Sequence, residues 1–192
     1  MYELAKAVRD MGKGIGTEII KVDCFLNHRI DTGLMMQSGR DLAAEFLSEN
    51  PTLVLTVEAS GIAVALAAAA ALGDIPAVFA KKSPSANVTG DKYVTPVYSF
   101  THGVTNQVFV SKEYLPAGAR VLIVDDFLAN GAATLGLCEL CRQAGATVVG
   151  IGICVEKTWQ PGRKLLEEKG YHVLSLARVT GVEDGRPVVM ED

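Results

Sequence analysis

The sequence predicts an α/β chain built on a doubly wound, mostly parallel sheet flanked by helices. Strand-like and helix-like segments alternate, which is how parallel sheets are wired. The run Val121-Leu122-Ile123-Val124 is apolar throughout, as a strand buried on both faces must be. It ends in Asp125 and Asp126, followed by small residues and the amphipathic segment from Ala132 to Gln143, which reads as a helix. The acids are thus expected at a strand's carboxyl end, the edge where open parallel sheets collect ligands, and the loop after them offers backbone N–H groups to an anion.

The elements follow in order. A short amphipathic helix is expected near Tyr2 to Met11, and the glycine-spaced run Gly12-Lys13-Gly14-Ile15-Gly16 is expected to be a flexible connector, since it neither follows a strand nor opens a strong helix. Asp31-Thr32 can cap a helix running to about Glu49, with Leu34, Met35, Leu42, Ala43 and Phe46 as its apolar stripe. Strands are predicted at Leu53–Val57, Ala77–Phe79, Val94–Phe100, Asn106–Val110, Val121–Val124 and Val148–Val155. Helices at Gly61–Leu72 and Ala132–Gln143 lie between several of them. The Val94–Phe100 and Asn106–Val110 pair reads as an antiparallel hairpin at the sheet edge.

At 192 residues the chain suits one well-buried core and hence a single domain. The longest apolar run, Ile62 to Leu72, falls short of the roughly 18 residues of a membrane span, and the N-terminus has no secretory pattern, so a cytoplasmic protein is expected. A net charge of −4 argues against general nucleic-acid binding. Cys24, Cys138, Cys141 and Cys154 are scattered, as free thiols in a reducing compartment. Cys138 and Cys141 form a C-x-x-C inside a predicted helix, which favours packing over redox chemistry. His28, His102 and His172 lack metal-ligand spacing, so no protein-held metal is expected.

The stretch from Val121 to Thr134 resembles the 5-phosphoribosyl-1-diphosphate (PRPP) signature of the type I phosphoribosyltransferases. The resemblance implies that Asp125 and Asp126 hold the ribose hydroxyls and that Ala129, Asn130, Gly131, Ala132 and Ala133 cradle the 5-phosphate, Asn130 standing where many members carry Thr. Glu58-Ala59-Ser60-Gly61, a turn between strand and helix, matches the family's pyrophosphate loop, where a helix N-terminus favours an anion. Lys81-Lys82 matches a cationic pair whose lysine reaches PRPP, often in the neighbouring subunit, so Lys82 takes that role and a homodimer is implied. Segment 83–92, rich in turn formers, suits a lid that excludes water.

Residues 19–31 and 150–163 closely resemble the bacterial xanthine phosphoribosyltransferases, whose base contacts fall on Ile20, Asn27 and Lys157. Ile20 offers an apolar wall, Asn27 a donor and an acceptor, and Lys157 a cation for a carbonyl oxygen. The resemblance spans the chain, with a core from about 50 to 155 and a base-binding hood from about 1–30 and 156–192. It implies transfer of phosphoribose from PRPP to xanthine, with Mg²⁺ bound through the substrate's oxygens and water. The alternatives are transfer to hypoxanthine or guanine, and a purine- or PRPP-sensing regulator on the same fold. Phe127 either stacks on the base or packs; Trp159 either covers the base or packs the hood; His28 reads as a surface or hydrogen-bonded structural residue.

Overall fold

The computed structural model describes residues 1–82, 90–99 and 104–191. The expected lid lies outside the described residues except for 90–92, as do Phe100 and the hairpin turn at His102. From the N-terminus come α1 (Glu3–Met11), β1 (Lys13–Ile15), β2 (Ile19–Lys21), α2 (Thr32–Phe46), β3 (Leu53–Val57), α3 (Gly61–Ala71) and β4 (Ala77–Ala80). Then follow β5 (Lys92–Ser99), β6 (Val104–Ser111), β7 (Arg120–Leu128), α4 (Ala132–Ala144), β8 (Thr147–Lys157), α5 (Gly162–Glu167), β9 (Val173–Glu183) and β10 (Arg186–Val189).

Six strands form the central sheet in the order β10-β9-β8-β7-β3-β4, parallel except for β10. Alternation along β3 and β7 sends Val54, Leu122 and Val124 to the face covered by α1, α2 and α3. Leu53, Leu55, Val57, Val121 and Ile123 go to the face covered by α4, α5 and the β5–β6 hairpin. The alanines of α3 let α2 come close: a Cβ on Gly39 would collide with the backbone of Ala67. Asp31 caps α2, accepting the Leu34 N–H at 3.0 Å. The hairpin pairs as expected and joins the sheet edge through Lys81 and Phe109, just beyond β4. Among the described residues no helix is long and apolar enough to cross a membrane.

The glycine-spaced run is not a connector. It supplies β1, which pairs with β2 in a small hairpin, and Gly14 N–H donates to Gly185 O at 2.8 Å across to the β9–β10 turn. That support is non-local, so local composition could not reveal it. β7 also runs four residues past Val124, because β8 continues to pair it through Leu128↔Glu156. The acids therefore lie within the strand. The sheet extends beyond residue 155: β9 and β10 had no predicted counterpart, because Ser175 and Arg178 interrupt the apolar pattern of β9.

Candidate active site

The chain passes from β3 to β4 on one side and returns as β7 on the other, so the strand order reverses between β3 and β7. At such a reversal the carboxyl ends leave a crevice. Pairing of β3 with β7 ends at Leu55↔Ile123, and beyond it the 58–61 loop meets the acids. A Cβ on Gly61 would collide with Thr56 Oγ1 and lie 2.8 Å from Asp125 Oδ1, so glycine is what lets the start of α3 approach the carboxylate. The Glu58–Ala59 peptide is cis. Glu58 Oε1 accepts the Lys82 N–H at 2.6 Å and Glu58 N–H donates to Ala80 O at 3.0 Å, tying this loop to the segment that carries Lys82. The Lys82 side chain is exposed.

Asp125 is 4 % and Asp126 8 % exposed. Asp126 N–H donates to Asp125 Oδ1 at 3.0 Å. Burial, and then the adjacent Asp126 charge, push the Asp125 carboxyl well above the ordinary carboxylate range, with the Asp126 N–H and, less strongly, the Lys82 charge opposing. The Thr56 hydroxyl, beside Gly61, is buried without a hydrogen-bond partner. Among the described residues no three His, Cys, Asp or Glu side chains gather to hold a metal ion. Two adjacent carboxyl groups suit a cation only if that cation brings most of its own oxygen ligands.

After β7 the chain turns through residues 129–131 into α4, whose first residues are Ala132 and Ala133. Gly131 caps the helix at φ 82°, a left-handed conformation that other residues adopt at a cost. Asn130 Oδ1 accepts the Ala132 N–H at 2.9 Å, which fixes the turn. The other N–H groups of the first turn have no intrahelical acceptor and face any ligand at the helix start.

The hood residues arrive from elsewhere. Asn27 closes a single π-helical turn, Asp23–Asn27, and its Nδ2 donates to Asp126 Oδ2 at 3.4 Å. Asn27, His28 and Ile30 face Ala59, Ser60 and Ile62 across a cavity of about 580 Å³. Ile20 is buried on β2. Lys157, at the end of β8, donates from Nζ to Glu18 O in the β1–β2 turn at 2.8 Å, and burial lowers its pKa. The structure thus brings Asn27 onto Asp126 and beside Ala59 and Ser60, whereas Lys157 meets the β1–β2 turn at Glu18 and Ile20 lies buried on β2. Phe127 packs against the core, while Trp159 is exposed.

Sequence reasoning missed an ionic cluster beneath this edge. Glu156, only 2 % exposed, accepts from Arg163 Nε at 2.8 Å and Nη2 at 2.6 Å. Burial pushes its pKa up, but the Arg163 fork, the Ser175 hydroxyl and the charges of Arg163 and Arg178 outweigh burial and hold Glu156 below its usual value. An acid at the end of an apolar strand with an arginine seven residues on was the available signal.

The domain family described as "Phosphoribosyl transferase domain" matches residues 30–176. A xanthine phosphoribosyltransferase of Geobacillus thermodenitrificans is 49 % identical over 96 % of this chain and 95 % of its own length. One from Acinetobacter baylyi is 46 % identical over 97 % of each chain. The crystal structure of adenine phosphoribosyltransferase from Saccharomyces cerevisiae superposes with a TM-score of 0.75 at 20 % identity, over 92 % of this chain and 99 % of that one, a likeness of fold.

Proposed function

The chain belongs to the phosphoribosyl transferase domain family, among the bacterial xanthine phosphoribosyltransferases, and from that premise we propose that it transfers the 5-phosphoribosyl group of PRPP to xanthine. The products are xanthosine 5′-monophosphate and pyrophosphate, as in purine salvage. The observation that carries this reading is the Asn27–Asp126 hydrogen bond, which joins a residue suited to a purine edge to an acid suited to a ribose. In the reaction a base nitrogen bonds to C1 of the ribose as the C1–oxygen bond to pyrophosphate breaks, and the base loses its proton to solvent.

Asp125 and Asp126 orient the ribose through its hydroxyls. Ala129, Asn130, Gly131, Ala132 and Ala133 cradle the 5-phosphate, through backbone donors other than the Ala132 N–H, which is held by Asn130. Glu58, Ala59, Ser60 and Gly61, at the start of α3, hold the leaving pyrophosphate, with Lys82 adding charge. Ile20, Asn27 and Lys157 receive the base. Alignment of the reactants and stabilisation of the leaving group supply the acceleration, with little covalent help from the protein. Mg²⁺, held through PRPP oxygens and water beside Asp125 and Asp126, would neutralise diphosphate charge when bound. The reading extends to one domain with a hood from both ends, to the cytoplasm, and to a homodimer in which Lys82 serves the partner's site.

The test is pyrophosphate release from PRPP and Mg²⁺ with xanthine, hypoxanthine, guanine or adenine supplied singly at equal low concentration. Xanthine is expected to lead clearly. A lead for hypoxanthine or guanine would reassign the base; no turnover with any base would favour a regulator on this fold.

A further inference from the structure

The 129–133 loop does not stand alone. Gly162, the first residue of α5, donates its N–H to Ala129 O at 3.0 Å. It is buried, and a Cβ there would collide with that same oxygen and lie 2.8 Å from Leu128 Cδ1 and 2.9 Å from Gly131 N. From the other side, a Cβ on Gly131 would lie 3.0 Å from Gly162 Cα. Two backbones are in direct contact, so any shift of Gly162 reaches the loop undamped.

What fixes Gly162 is its neighbour. Arg163 forks onto buried Glu156, and it also donates from Nη1 to Val173 O at 3.0 Å and Glu167 Oε1 at 2.9 Å, and from Nη2 to Ser175 Oγ at 3.1 Å. These contacts pin a six-residue helix to β8 and β9 at once; so short a helix has little stability of its own. Glu156 stands opposite Leu128 of β7 and directly before Lys157. One buried carboxylate therefore sits beside the strand leading into the loop.

We propose that Arg163, clamped by Glu156, is a positioning residue that holds Gly162 against the 129–133 loop and so sets the affinity of the 5-phosphate subsite without touching substrate. This rests on the assignment of that loop to the 5-phosphate of PRPP. The planar fork is what the geometry uses, so lysine cannot replace it.

The experiment measures KM for PRPP and for xanthine, with ribose 5-phosphate and pyrophosphate as separate inhibitors, in Arg163→Lys and Gly162→Ala. Each variant is expected to raise KM for PRPP and Ki for ribose 5-phosphate about tenfold, leaving KM for xanthine and Ki for pyrophosphate within about twofold. Unchanged ribose 5-phosphate inhibition, or equal weakening of both inhibitors, overturns the proposal. Should Arg163→Lys fail to fold, Glu156→Gln decides through the same selective change in ribose 5-phosphate inhibition, since it loosens the fork on Arg163 and leaves Gly162 and the loop unaltered. Should the parent protein turn over no base, that failure belongs to the functional reading, and calorimetric titration with ribose 5-phosphate still decides: selective loss in the variants supports the clamp, and no binding by the parent protein overturns it.

Discussion

Asp125 shows how one buried carboxyl couples stability to function. Its folded pKa is raised, so the native state keeps a proton that the unfolded chain has released. The associated stability is present below the ordinary carboxylate value and falls as pH rises through the window up to the folded value. Asp125→Asn is expected to flatten that decline in urea unfolding curves taken at pH 4 and pH 8, while cutting turnover of PRPP by about a hundredfold or more. A fall in folding stability that accounts for the whole fall in turnover would remove its assignment to the ribose. Lys157→Met, which keeps the stem and deletes the ammonium, is expected to raise KM for xanthine by about tenfold or more with KM for PRPP little changed, read from initial rates. The acids were legible in the sequence because they follow an apolar run, where charge needs a reason, although the strand continues past them to Leu128; Lys157 was legible through the resemblance of residues 150–163 to a known family. The hold of Glu18 O on Lys157 was not, because the two are 139 residues apart.

The loops matter more than the regular elements they join. Gly131 combines a left-handed conformation with backbone contact to Gly162. Gly131→Ala is expected to cost about 1–2 kcal/mol from the conformation alone, measured as a fall in the urea midpoint, and to weaken PRPP binding as well. The segment from β8 to α5 gives a prediction of opposite pH sense to that for Asp125. Glu156 has a lowered folded pKa, so its stabilisation is present above the ordinary glutamate value and lost as pH falls through the folded value. Glu156→Gln is expected to cost about 2–3 kcal/mol near neutrality and to unfold with a shallower acid limb in circular dichroism. β9 escaped the sequence pattern for the same reason: its buried Ser175 and its Arg178 are matched by partners on other elements. The thiols of the C-x-x-C are buried inside α4 and pushed by desolvation up to about 11 at Cys138 and about 12 at Cys141, so neither is a ready nucleophile at neutral pH.

Across the whole molecule, ligand and fold are coupled through the crevice between β3 and β7. PRPP with Mg²⁺ at about one hundred times its Kd is expected to add about 2.7 kcal/mol to the unfolding free energy, and chelating the metal is expected to remove most of that gain, as a thermal melt would record. β9 and β10 left no such mark, but through β8 the doubly wound sheet was readable from alternating periodicity, because burial on both faces dictates apolar strands and amphipathic helices there. So were the loops at the carboxyl ends of β3 and β7, since small residues between strand and helix leave a local mark. Local sequence could not reveal the partners of those loops. The β1–β2 hairpin depends on Gly185, Asn27 reaches Asp126 across the sheet edge, and Arg163 finds Glu156 only once α5 has docked. Residue order thus determined the fold and the chemistry offered at its edge, because periodicity and charge at strand ends are local properties. Tertiary structure alone decided which polar groups meet there, because a buried hydrogen bond or ion pair is selected by the packing that excludes water around it.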